Sequence, residues 1–209
     1  MDATSTRTES GLDWSVVSRP VASETVSGDA AVVKHLDRLV LIAVIDGVGH
    51  GQEAAAAARA AANILEDYAD DSTIALVKRC HEALMLTRGV VLTVAKLRTD
   101  ENTLTWLGVG NVEGRLLRAD RTASPPCESV LLRSGLVGCQ LPSLQASVVP
   151  IAPGDLLIFA TDGIEPIFDT EIRMADRPEQ IAAKILERRN KGNDDALVLV
   201  ARYIGLGHE

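Results

Sequence analysis

A chain of 209 residues has room for one domain with a real core, and its 46% hydrophobic and 24% charged residues are those of an ordinary globular protein. A net charge of −8 argues against binding to a phosphate backbone, which needs clustered Lys and Arg, so no nucleic acid partner is expected. No apolar run is long enough to span a bilayer, the polar residues 1–11 carry no signal-peptide core, and Cys80, Cys127 and Cys139 lack CxxC spacing; the expectation is a soluble, cytoplasmic protein with no membrane contact.

Residues 1–11 read as a flexible N-terminus, followed by a single domain over residues 12–204. Residues 39–45 (LVLIAVI) form a continuous apolar run ending at Asp46-Gly47, which predicts a buried strand and a sharp turn. Residues 52–68 are rich in alanine and other helix formers, and their small side chains would let a helix lie close to a sheet. A second helix is predicted with Ser72 as N-cap and Ile74, Val77, Leu84 and Met85 on its buried side.

The period then changes to that of strands over residues 90–97, 103–109 and 114–118, with turns at 99–102 and 111–113. Residues 120–128, with Ser124, Pro125 and Pro126, read as a surface loop. Strands follow at 145–149 and 156–160. Asp176 and Pro178 mark a helix start, and Ile181, Ala182, Ile185 and Leu186 give that helix an apolar face. Residues 196–203 (ALVLVARY) close the series as a strand. Helices grouped apart from strand runs favour α+β layering over an alternating α/β fold.

Four aspartates stand where predicted strands meet turns: Asp29 in Ser-Gly-Asp, Asp46 in the hexamer DGVGHG, Asp162 in Thr-Asp-Gly, and Asp194 in Gly-Asn-Asp-Asp. A strand end positions a carboxylate rigidly while leaving it open to solvent and ions, and the glycine after it lets the backbone turn tightly. Each Asp-Gly alone is a common turn. As a set converging at one end of a sheet they would repel each other unless cations neutralised them, and hard oxygen ligands of this kind suit Mg²⁺ or Mn²⁺.

At these residues the sequence resembles the metal-dependent PPM protein serine/threonine phosphatases, in particular the bacterial branch containing SpoIIE, RsbU and RsbX. SGD, DGVGHG before an alanine-rich helix, GVGN at 108–111, ATDG, and NDD before a last strand occur in that family's order, over roughly residues 14–203. The short length without a sensor region looks most like the RsbX type. The resemblance implies an αββα sandwich of two antiparallel sheets flanked by helices. It implies two Mn²⁺ or Mg²⁺ ions per chain, with Asp46 bridging them, the Gly47 carbonyl on one, Asp162 and Asp194 on the other, and Asp29 at the rim. Asp195 matches a supporting position. Asp46, Asp162 and Asp194 would thus carry catalysis by a metal-activated water on a phosphoserine or phosphothreonine. The implied partners are STAS-domain stressosome proteins or, as in the RsbU and SpoIIE types, an anti-sigma-factor antagonist. A binding module with weak catalysis is the alternative, and the substrate-binding residues are not readable.

Several positions depart from the wider family. Val48 stands where many eukaryotic members have a histidine, and His50, two residues on, is either a turn residue or a proton-transfer group. Asn111 stands where members with a third metal carry an aspartate, which implies two tight ions and a weak third site at most. The phosphate-binding arginine of some members has no clear counterpart; Glu24 lies near its place, and Arg19 is the nearest substitute. His35, His81 and His208 have no ligand spacing, and Lys78, Arg79, Arg188 and Arg189 read as solvated helix charges.

Overall fold

Strands whose alternate side chains feed two different cores set the architecture. The computed structural model describes residues 3–9, 11–120, 122–166, 168 and 172–205. In chain order the elements are β1 (Ala3–Glu9), β2 (Leu12–Arg19), β3 (Asp29–Leu36), β4 (Leu39–Gly47), α1 (Gln52–Asp67), α2 (Thr73–Leu84), β5 (Val90–Arg98), β6 (Thr103–Val109), β7 (Glu113–Leu117), β8 (Cys127–Ser129), β9 (Leu132–Arg133), β10 (Ser147–Pro150), β11 (Leu156–Ala160), α3 (Pro178–Arg189) and β12 (Ala196–Tyr203).

One sheet runs β1-β2-β12-β11-β7-β8, and the other runs β10-β6-β5-β4-β3. All pairings are antiparallel except the two-residue β9, which lies parallel to β6. Along β4, Val40, Ile42 and Val44 enter the core between the sheets, while Leu41, Ala43 and Ile45 face α1 and α2. Along β12, Leu197, Leu199, Ala201 and Tyr203 enter that same central core, while Ala196, Val198 and Val200 face α3. Covered on both faces, these strands read as unbroken apolar runs. The layering is helix pair, sheet, sheet, helix, as the sequence implied.

Alanine sets how closely α1 approaches. Ala54, Ala57, Ala58 and Ala61 are fully buried against the sheet. α2 is capped by Ser72, whose hydroxyl oxygen accepts from the Ala75 N–H at 3.2 Å. Its buried stripe is Thr73, Leu76, Val77, Cys80 and Leu84, the spacing of one helix face. Met85 falls off that stripe at the C-cap and is 64% exposed, and Ile74 is only half-buried, which corrects the expected packing of this helix. Asp71 pairs with Arg79 at 2.6 Å, and the Arg79 guanidinium stacks 4.1 Å from the Tyr68 ring centre.

Strands β1, β2 and β3 were not legible as such. In place of a flexible N-terminus, Ala3–Glu9 pairs along its whole length with β2, from Ala3 opposite Ser18 to Glu9 opposite Leu12. The β-branched Thr4, Thr6 and Thr8 suit a strand edge, and the Thr6 and Ser15 hydroxyls hydrogen-bond across the pair at 3.0 Å. α3 begins with Pro178 at its first position, after Arg177, whose N–H donates to the Gln180 side chain at 3.0 Å. His208 lies outside the described residues. Among the described residues no helix is long and apolar enough to cross a membrane.

Because Ala61 is buried with no exposure at the helix–sheet contact, Ala61→Leu should destabilise the fold by about 1–3 kcal/mol through overpacking. Urea unfolding checks this, with a lowered midpoint and an unchanged slope as the expected result.

Candidate active site

β3 begins where β4 ends, and their register sets Asp29 directly opposite Asp46. Cross-strand neighbours of this kind sit about 5 Å apart and repel when both are charged. From the facing sheet, β11 ends at Ala160 and leads into Thr161 and Asp162, while Asp194 and Asp195 immediately precede β12. Since β11 and β12 are antiparallel neighbours, with Ala160 opposite Val198, these two chain segments emerge at the same end.

Thr161 joins the two sheets. Its hydroxyl donates to Asp29 Oδ2 at 2.8 Å and accepts from the Leu197 N–H at 2.8 Å. Asp195 holds the loop that leads into β3: Oδ1 accepts from the Val21 N–H at 2.7 Å and Oδ2 from the Gly28 N–H at 2.6 Å. Gly28 in turn accepts from the Gly47 N–H at 3.1 Å, so Asp195 reaches the Asp46 turn through one residue. Two glycines are required by close approach. A Cβ on Gly47 would stand 2.3 Å from the Ala54 carbonyl oxygen, and one on Gly163 would stand 2.0 Å from that of Asp195.

Asp162 is fixed from two sides. Asn111 Nδ2 donates to its Oδ2 at 2.8 Å, and Lys191 Nζ donates to its carbonyl at 2.6 Å. Asp194 Oδ1 accepts from the Asp195 N–H at 2.9 Å. His50 Nδ1 lies 2.9 Å from Glu24 Oε1, so the residue near the expected arginine position orients the histidine of the DGVGHG turn. Arg19 ends β2 opposite Ala196.

The carboxylates feel one another. Burial, then the charges of Asp162, Asp194 and Asp195, push Asp46 from 3.8 up to about 8. Asp29 is raised well above the ordinary carboxylate value by burial first and Asp46 next, against the lowering effect of the Thr161 hydrogen bond. All five aspartates are therefore members of one electrostatic cluster. Cys80 takes no part: it is buried in α2, and burial pushes its thiol up to about 12, far from a reactive thiolate.

This donor set fits hard divalent cations. Asp29 and Asp46, buried and resisting ionisation beside their acidic neighbours, are what positive charge would relieve. Among the described residues, no three His, Cys, Asp or Glu side chains close on a single point as a ready-made cage. Ions such as Mg²⁺ keep several waters and use few carboxylates each.

The structure thus brings together Asp29, Asp46, Gly47, Asp162, Asp194 and Asp195. His81 stands apart, accepting from the Gly138 N–H at 2.9 Å as a structural residue. Reading the residues in order missed Thr161, whose only signal is a polar side chain at the end of the apolar run LLIFA. It also missed Lys191, which looks like an ordinary loop lysine.

Residues 37–204 match the family described as stage II sporulation protein E (SpoIIE). The chain belongs to that family. A curated relative, the phosphoserine phosphatase RsbX of Bacillus subtilis (strain 168), is 24% identical over 182 residues, covering 86% of this chain and 88% of RsbX. A solved chain from work on the bacterial stressosome as a modular system adapted to control secondary messenger signalling superposes with a TM-score of 0.83 at 28% identity, covering 91% of this chain and 99% of that one. The crystal structure of RsbX in complex with magnesium superposes with a TM-score of 0.85 at 20% identity, covering 96% and 99%. That pair shares the fold of this SpoIIE-family chain.

The raised Asp46 gives a signed pH dependence. Folded protein without divalent cations keeps the Asp46 proton up to about pH 8, whereas the unfolded chain releases it near 3.8. Between those values the folded state binds more protons, so its stability falls as pH rises through the window. With a chelator present, the stability of wild type relative to Asp46→Asn should fall from pH 4 to pH 8, and urea unfolding at each pH measures it.

Proposed function

We propose that this chain is a metal-dependent phosphoprotein phosphatase that hydrolyses phosphoserine or phosphothreonine on a signalling protein. The observation that carries this is the meeting of Asp29 and Asp46 from one sheet with Asp162 and Asp194 from the other in a single repelling cluster. Asp46, central in that cluster, would bridge two Mn²⁺ or Mg²⁺ ions, with the Gly47 carbonyl, Asp162 and Asp194 completing the inner ligands and Asp29 at the rim. Bound there, the cations would supply an acidified water and offset the charge on the phosphoryl oxygens.

The rest of the work falls to this chain's own groups. Thr161 fixes which oxygen of Asp29 faces the cluster. Asn111, a neutral donor where an acid would add another ligand, orients Asp162, which supports two tight ions and a weak third site at most. Asp195 stays off the ions and holds the entry to β3. Asp46 leads into the glycine-rich DGVGHG turn, and Asp194 stands just before β12.

The likeness to RsbX and to a chain of stressosome work supports phosphorylated STAS-domain stressosome proteins as substrates. The SpoIIE family match keeps an anti-sigma-factor antagonist as the second candidate. Incubating the protein with Mn²⁺ and each phosphoprotein, and following loss of phosphate, decides between them.

Hydrolysis of p-nitrophenyl phosphate should be stimulated by Mn²⁺ and reduced to background by Asp46→Asn. A flat rate in wild type with bound manganese would instead favour a binding module. Asn111→Ala and Thr161→Val should each lower kcat/KM by about 10–100-fold, the usual cost of losing a group that orients a metal ligand. Steady-state kinetics over a Mn²⁺ titration measures both.

A further inference from the structure

The cluster of carboxylates repels the phosphate it is meant to receive, so a cation of the chain itself at the rim bears directly on substrate capture. The turn between α2 and β5 supplies one. Arg88 Nη1 lies so near the DGVGHG turn that a Cβ on Gly49 would stand 3.0 Å from it. Gly49 is three residues beyond Asp46. The turns are joined through the backbone, where the Val48 N–H donates to the Gly89 carbonyl at 3.2 Å.

The turn that carries Arg88 is fixed by its own hydrogen bonds. The Thr87 hydroxyl donates to the Leu84 carbonyl at 2.8 Å and accepts from the Gly89 N–H at 3.0 Å. Gly89 has φ +78°, and a Cβ there would stand 2.7 Å from the Val137 carbonyl oxygen, so the bend is imposed. On this ordered turn Leu86 is wholly exposed and Met85 is 64% exposed, beside a 39% exposed Val48. Exposed apolar side chains gathered on two hydrogen-bonded turns, and not scattered singly, are what marks a contact surface.

Arg88 is engaged through one nitrogen only in its pair with Glu53, at 2.5 Å with both side chains largely exposed. An exposed pair of this kind contributes little. The guanidinium has five N–H donors in a fork that matches phosphate oxygens, and Nη1 is the one beside Gly49 of the DGVGHG turn.

We propose that the α2–β5 turn is the substrate-docking edge: Arg88 takes an oxygen of the phosphoryl group, and Leu86 with Met85 receives an apolar side chain flanking the phosphorylated residue. This rests on the phosphatase reading above. The occupant is a phosphoserine-bearing segment of a partner protein with a large aliphatic neighbour.

The test has two arms. Inorganic phosphate titrated calorimetrically into protein loaded with Mn²⁺ should bind about tenfold more weakly to Arg88→Ala than to wild type, the cost of a charge-assisted hydrogen bond, with Arg88→Lys between them. In kinetics, Leu86→Ser should raise the ratio of KM for a phosphoserine protein to KM for p-nitrophenyl phosphate about fivefold or more. Both sites are on the surface, and circular dichroism melting checks that the variants remain folded. Unchanged phosphate affinity in Arg88→Ala, no phosphate binding by wild type, or an unchanged KM ratio in Leu86→Ser overturns the proposal. A wild type that hydrolyses neither ester but binds phosphate through Arg88 defeats the phosphatase reading while leaving the phosphate contact standing.

Discussion

Carboxylates held close together at the rim of a two-sheet sandwich resist being charged at once, and the rest of the fold is arranged to keep them there. Asp29 and Asp46 oppose each other across one strand pair, and burial adds to their repulsion. A flexible loop would relax such strain by swinging its aspartates into water. Here the supports are strands packed on both faces, and the side chains behind them, such as Ile45 and Val198, are fully buried. The stability of two cores is thereby committed to holding a locally unfavourable arrangement, which is where function commonly resides.

The cluster also divides labour among polar neighbours that carry no metal-ligand signature. Thr161 bridges the sheets, Asn111 steadies Asp162, and Asp195 is spent entirely on backbone N–H groups. Each fixes a rotamer or a loop instead of adding negative charge. The glycines at 47 and 163 allow backbone to press against backbone at the two turns, so the site tolerates no side chain at either place. The α2–β5 turn lies beside the DGVGHG loop and brings the positive charge of Arg88 to it, with Glu53 at the start of α1 as its ion-pair partner.

Much of this was legible because strong local signals coincide with the elements that matter. LVLIAVI and ALVLVARY are buried on both faces, so their composition alone announces them, and the aspartates at their ends follow. Ser72 and Pro178 mark the starts of α2 and α3 by cap chemistry. β1, β2 and β3 carry weaker signals: burial along β2 and β3 is mixed, polar Ser, Thr, Lys and His residues interrupt the pattern, and β2 is paired with β12, far away in sequence. Met85 was misplaced because a helix period extrapolated one residue past the C-cap still looks regular. The contacts of Thr161, Lys191 and Arg88 depend on segments tens of residues away, which no local window contains.

β12 lies in the middle of its sheet, between β2 and β11, and two of the clustered aspartates directly precede it. A copy still being translated therefore holds a split sheet, with β2 and β11 both lacking their shared neighbour, until residue 203 has been made. Before that point β3 and β4 can already set Asp29 opposite Asp46, while the segment that carries Asp194 and Asp195 has no completed strand to anchor it.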